Sequence, residues 1–135
     1  MKLRKHLRGV TLLELLIVTV IVGIMAVIAY PNYRQYAARA KRTEAKAMLL
    51  EIAQNQERFY LQNNRYGDAG DLGYPKISDS GSYSVTIDAA DTNDFAATAT
   101  YLRSDEEASK CSTFNIDGRG NKTSAPYADC WSRTR

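Results

Sequence analysis

The sequence predicts an α+β chain in which one long amino-terminal helix, half membrane-spanning and half amphipathic, packs on a small antiparallel sheet with a C-terminal disulfide loop. Three observations predict it. An apolar run from Val10 to Tyr30 carries a single carboxylate, Glu14. Beyond it, helix formers with a recurring stripe of side chains continue from Asn32 to Leu61. From Tyr83 onward the pattern shortens to the two-residue repeat of half-buried strands.

The first element is a leader. Met1 to Gly9 holds Lys2, Arg4, Lys5 and Arg8 and no acid. An ordinary secretory signal carries its small-residue cleavage site after the apolar stretch, whereas here the small residue, Gly9, stands before it. Two readings follow: a leader (1–9) that is removed while the apolar helix is kept, or an uncut amino-terminal anchor. Glu14 favours the first. An ionisable group within a membrane-length helix costs about 2.5–3.5 kcal/mol and so calls for a partner. A cut after Gly9 would create an α-amine on Val10, one helical turn from Glu14, and such an amine titrates at about 7.7–8.0.

Gly9-Val10-Thr11-Leu12-Leu13-Glu14, followed by an apolar run with Gly23 and ending in Ala29-Tyr30-Pro31, resembles the class III signal of type IV pilins and related pseudopilins. The resemblance implies that a prepilin peptidase cuts after Gly9 and N-methylates Val10, and that Glu14 sets the register between subunits in a filament. It implies the type IV pilin fold. It also implies partners: other pilin subunits, the prepilin peptidase, the inner-membrane pilus assembly machinery, and membrane lipid before assembly. The first mature residue of the family is usually Phe, and here it is Val10.

The next element, 10–30, is 21 residues long. At 1.5 Å per residue it measures about 31 Å, the thickness of a hydrocarbon core. Pro31 lacks a backbone donor and is expected to kink the helix, with Gly23 as a second point of bending. Residues 31–62 form the amphipathic half, with Met48, Leu49, Ile52, Gln56, Phe59 and Tyr60 on its stripe. Tyr30, Tyr33 and Tyr36 lie where the helix leaves the bilayer. They read as an interfacial aromatic belt or as contacts to the head or to neighbouring subunits.

Residues 63–135 form the head. Asn63 to Pro75 is dense in turn residues and reads as an ordered surface loop. Three alternating segments follow, Tyr83–Ile87, Phe95–Tyr101 and Ser112–Ile116, and their apolar face needs the helix stripe as its cover. Basic residues flank the apolar helix on both sides, so charge alone hardly orients it. The two cysteines, Cys111 and Cys130, are too far apart for short metal or redox motifs, and in a small extracytoplasmic head they read as a disulfide. That places the head in the periplasm, with a single pass of the inner membrane before assembly and an extracellular pilus after it. Closing the loop is worth about 3 kcal/mol. Inside it, Asp117-Gly118-Arg119-Gly120-Asn121 reads as a hairpin turn with glycines at positive φ. A calcium site on Asp117 and Asn121 is the alternative.

The net charge of +3 comes from 18 basic and 15 acidic residues. Without the leader there remain 14 basic and 15 acidic side chains, a balance of −1, and the only histidine, His6, is gone. An enzyme needs a nucleophile with a base, a metal cluster or a poised acid pair, and Glu106 and Glu107 are adjacent and face different ways. No enzymatic activity, cofactor or metal is expected. A filament subunit needs an apolar polymerising helix, a registering charge and a sturdy head, and all three are present. A DNA receptor is the other class. Lys110, Arg119, Lys122, Arg133 and Arg135 oppose only Asp117 and Asp129 in Ser109 to Arg135, with Trp131 and Tyr127 available for stacking. No basic run or aromatic alternation marks a groove there, so the filament reading is preferred. Ala29–Tyr33, the Arg-rich stretch 39–46, Arg58-Phe59-Tyr60 and Asp129-Cys130-Trp131 are most similar to PilE-like minor pilins of Gram-negative bacteria. A major pilin or DNA-uptake pilin is the alternative, and a type II secretion pseudopilin a more distant one.

Overall fold

The computed structural model describes residues 9–91 and 93–133. The basic leader residues Lys2, Arg4, Lys5 and Arg8, and the terminal Arg135, lie outside the described residues. In chain order the elements are α1 (Leu12–Asn63), α2 (Ala69–Leu72), β1 (Tyr83–Asp91), β2 (Asp94–Tyr101), a 3-10 helix (Glu106–Ser109), β3 (Cys111–Asp117) and β4 (Lys122–Pro126). The chain divides between Tyr36 and Ala37 into two compact units.

Helix α1 begins at Leu12 because the Thr11 hydroxyl accepts the backbone N–H of Glu14 at 3.2 Å, closing the first turn. Val10 precedes the helix, and in this uncut chain its nitrogen is a peptide nitrogen. Gly23 and Pro31 both lie within α1, and beside Pro31 the Asn32 side-chain amide donates to Ile28 O at 3.3 Å.

In the second unit α1 buries Arg42, Ala45, Leu49, Ile52 and Gln56. This face starts two turns earlier than the expected stripe, while Met48, Phe59 and Tyr60 are only half-buried. The steps of three and four residues are those of a helix packed on one side.

Against that face lies a four-stranded antiparallel sheet in the order β1-β2-β3-β4. Register aligns Val85, Ala99 and Phe114 across three strands, and Ile87, Ala97 and Ile116 one pair further along. Ala97 and Ala99 are fully buried on the central strand, in one cluster with Ala45, Leu49, Ile52, Tyr83 and Phe114. Their short side chains leave room for the helix.

The fourth strand, β4, falls outside the three expected. As an edge strand it is exposed at four of its five residues, so it shows no apolar alternation. The loop after α1 contains α2, a single turn held by a capping box. Asp68 accepts from Gly70 N and Asp71 N, and Gly73 ends it in the left-handed conformation, φ 59°.

Candidate functional site

In the first unit the candidate assembly face is built from α1. Val10 and all large apolar side chains from Leu12 to Ile28 are exposed. Glu14 sits in the first turn, and among the described residues its carboxylate makes no hydrogen bond or ion pair. Thr19, the other polar group here, returns its hydroxyl to Leu15 O at 3.0 Å and Leu16 O at 2.9 Å, so it costs the apolar surface little. A Cβ added at Gly9 or Gly23 would meet nothing within 4 Å. Among the described residues α1 alone is long and apolar enough to cross a membrane.

The head is closed by the expected disulfide, Cys111–Cys130, with Cα atoms 5.8 Å apart and both residues fully buried. It delivers Trp131 to the core edge. The indole packs edge-on to Phe114 at 5.7 Å between centroids and donates Nε1–H to Thr123 O at 2.7 Å, which covers an outer carbonyl of β4. Lys46 of α1 donates to Trp131 O at 2.8 Å. Burial, and then the neighbouring Arg42 charge, pull the Lys46 amine below its usual range.

The pair Glu106 and Glu107 does face two ways. Glu106 Oε1 accepts from Lys110 Nζ at 2.6 Å on the surface, whereas Glu107 is buried against Arg42. The Arg42–Glu107 pair is bidentate: Nε donates to Oε1, and Nη2 donates to Oε2 at 2.6 Å. That bonding holds the Arg42 guanidinium above its ordinary value against the opposing effect of burial. Lys41 donates to Tyr101 OH at 3.0 Å, and Tyr101 OH donates to Asp105 at 2.8 Å. Together these contacts fasten the 3-10 helix, and Cys111 next to it, onto α1. Sequence reasoning missed them. The one signal was that Arg42 stands on the same three-and-four spacing as Ala45, Leu49 and Ile52.

A second missed device holds the loop after α1. Gln56, fully buried, donates Nε2–H to Gly67 O at 2.6 Å and accepts Gly67 N–H at 2.9 Å. Tyr74 OH donates to Glu51 Oε2 at 3.0 Å, and burial followed by that carboxylate pushes the Tyr74 hydroxyl up to about 12.

The turn after β3 follows expectation with one change. Asp117 Oδ1 accepts Arg119 N at 3.0 Å and Asn121 N at 2.8 Å, and Oδ2 accepts the Asn121 amide at 2.8 Å. These bonds, that to the Asn121 side chain first, hold the Asp117 carboxyl below the usual carboxylate range. Both oxygens serve the turn. Gly120 takes positive φ, 79°, as expected, but Gly118 does not. Its N–H is bonded to Phe95 O and Asp94 Oδ1, each at 3.0 Å, and an added Cβ would stand 2.7 Å from that oxygen, so close approach explains this glycine.

The four described cations of the candidate DNA set are spread over several partners. Lys110 pairs with Glu106, Arg119 Nε lies 3.8 Å from Asp94, and Arg133 Nε lies 3.6 Å from Asp129. Lys122 stacks over Trp131 at 5.5 Å and Arg133 over Tyr127 at 4.7 Å. Arg135, the fifth, is outside the described residues.

Comparison with known proteins agrees with this architecture. Residues 4–30 match the prokaryotic N-terminal methylation motif, and residues 31–115 match the family described as type IV minor pilin ComP, DNA uptake sequence receptor. The chain is 41% identical over 86 residues to the type IV major pilin protein PilA of Myxococcus xanthus, covering 62% of this chain and 39% of that protein. It is 55% identical over 61 residues to a fimbrial protein of Neisseria meningitidis serogroup B, covering 44% of this chain and 35% of that one. The matches therefore span less than half the length of these relatives. Among solved structures, a type IV pilin from Shewanella oneidensis superimposes with a TM-score of 0.53 at 26% identity, over 71% of this chain and 99% of that one. By its amino-terminal motif, its helix-and-sheet head and the family match over more than half of its residues, the chain belongs to the type IV pilin family described by that ComP match.

Proposed function

We propose that this pilin is a minor subunit of a type IV pilus, made as a precursor that prepilin peptidase cuts between Gly9 and Val10 and N-methylates on Val10. The observation that carries the reading is the apolar face of α1, where every large apolar side chain from Val10 to Ile28 is 47–82% exposed. Such a surface has to be covered, by inner-membrane lipid before assembly and by the same helix of neighbouring subunits in the filament. Glu14 then acts in register. Its carboxylate is stabilised within the apolar bundle when a neighbour's Val10 amine reaches it. Gly23 and Pro31 are the points at which the helix bends, and the assembly machinery draws the subunit from the membrane. The head stands in the periplasm, which suits the disulfide, and reaches the outside as part of the fibre.

Intact mass of the subunit from sheared filaments tests the processing. A chain starting at Val10 with one added methyl is expected, and assembled chains that keep Met1–Gly9 refute it. Glu14→Ala, at matched membrane levels, is expected to enter filaments poorly while inserting and folding normally. Quantitative mass spectrometry of the same fibres tests the minor role, and an abundance equal to the most plentiful subunit would make this the major pilin instead.

DNA reception is the second reading, favoured by the family match over residues 31–115 and by the Lys122–Trp131 and Arg133–Tyr127 pairs. Retention of duplex DNA on filters by residues 37–135 is expected to fall steeply with salt and to weaken in Lys122→Gln. No retention even at low salt removes this reading.

A further inference from the structure

Asp117-Gly118 is the only Asp-Gly pair in the chain and Asp79-Ser80 the only Asp-Ser pair, and neither Asn-Gly nor Asn-Ser occurs. A small residue after an aspartate leaves its own backbone nitrogen open to attack the preceding side chain. In that reaction the Gly118 N–H gives up its proton and the nitrogen bonds to Asp117 Cγ. The carboxyl hydroxyl leaves with the proton as water, which closes a succinimide ring. Water then reopens the ring. Cleavage at Cγ restores aspartate, whereas cleavage at the backbone carbonyl carbon routes the chain through the side chain as isoaspartate, with no net change in mass.

Both reaction partners are held at Asp117. Gly118 N–H donates to Phe95 O and to Asp94 Oδ1, each at 3.0 Å. A carboxylate against an N–H opposes loss of its proton, because the product would set two negative charges side by side. The two bonds also fix the peptide plane that an attack would have to rotate. Asp117 itself accepts the N–H groups of Arg119 and Asn121 and the Asn121 side chain, which favours its ionised form, the poorer electrophile. The second pair is built the same way. Ser80 N–H donates to Glu44 Oε1 at 2.8 Å, and the Ser80 hydroxyl donates to Glu44 Oε2. Asp94 stands 24 residues from Gly118 and Glu44 36 residues from Ser80, so neither carboxylate belongs to the turn that it holds.

We infer that Asp117 and Asp79 are latent isoaspartate sites of the head, and that Asp94 and Glu44 suppress the rearrangement by holding the amides that would start it. This rests on the geometry of the head and not on the proposed function. Rearrangement at Asp117 would insert a methylene into the backbone between β3 and β4 and displace Lys122 from its partner Ile116.

The test keeps the full chain in detergent micelles for weeks at neutral pH and physiological temperature. Isoaspartate is located by electron-transfer fragmentation and by resistance of the bond to Asp-N protease, with the urea-unfolded chain as reference for each site. The folded parent is expected to rearrange at both sites at least about tenfold more slowly than the unfolded chain, the scale of one hydrogen bond to a charged group. Asp94→Ala should raise isoaspartate at Asp117 by about the same factor and leave Asp79 at the parent rate. Glu44→Ala should do the reverse. A folded parent that rearranges as fast as the unfolded chain overturns the inference, and so does a variant that leaves its own site unchanged. A variant that raises both sites together also overturns it, because that marks general loosening of the fold.

Discussion

Removing Glu107 is expected to be among the most damaging single changes in the head. Arg42 and Glu107 are only 5% and 6% exposed, and two parallel hydrogen bonds join them. Glu107→Ala leaves a guanidinium in the interior without its counter-charge, a defect that costs about 3–5 kcal/mol. The guanidinium is always charged and its pKa is raised further here, so on the arginine side the pair is intact at neutral pH, where the loss is measured. Among the described residues Arg42 Nη1 is buried with no hydrogen-bond partner, so even the intact pair is incompletely compensated. The double variant Arg42→Met, Glu107→Leu removes both charges and that orphaned donor together. It should lie within about 1 kcal/mol of the parent or above it, because apolar replacement of buried pairs is often neutral or stabilising. Urea unfolding of residues 37–135 with the disulfide intact measures all the variants, completed by Arg42→Met alone. Single variants that each lose under about 1 kcal/mol, or a double variant whose loss equals the sum of the singles, would refute the reasoning.

Four further outcomes are expected. Cys111 and Cys130 should resist alkylation until reduced, and the Cys111→Ser, Cys130→Ser head should lose about 3 kcal/mol from loop closure; unchanged thermal stability would contradict this. Gln56→Leu strands the buried N–H and carbonyl of Gly67 and should cost about 2 kcal/mol or more, with hydrogen exchange rising across residues 64–75. Gly67→Ala should cost about 1–3 kcal/mol by a different route, since its Cβ would stand 3.0 Å from Asp71 Cβ and 3.2 Å from the Phe59 ring. Acid should weaken the head in a defined window. Asp71 is held below its usual value by Arg65, and Asp117 by Asn121. For Asp105, burial pushes upward but is outweighed by bonds from Tyr101 and the Glu107 N–H. A depressed carboxyl contributes stability above its unfolded pKa of about 3.9 and loses it as pH falls through the folded value. The urea midpoint should therefore hold down to about pH 4 and fall below it, and a midpoint rising through that range would count against these assignments.

Local repetition made much of this protein legible without its structure. The apolar run from Val10 and the lone Glu14 are contiguous, so a membrane-length apolar helix could be read from neighbours in the chain. Strands β1 to β3 declared themselves through Tyr83, Val85, Phe95, Ala97, Ala99, Phe114 and Ile116, because alternate residues of a half-covered strand face the core. The two cysteines of a small head allowed one intramolecular bridge. What tertiary structure alone decided has no local repeat. Arg42 meets Glu107 across 65 residues, and Gln56, though on the expected stripe, meets the Gly67 backbone across a loop, so neither partnership shows in the sequence. Strand β4 is exposed at most positions and α2 is one turn long, too little pattern for periodicity to detect. The basic residues after Ser109 read as a patch until Glu106, Asp94 and Asp129 were found beside three of them. Hydrophobic pattern is written along the chain, whereas satisfying a buried charge or backbone amide depends on which distant segment the fold brings to it.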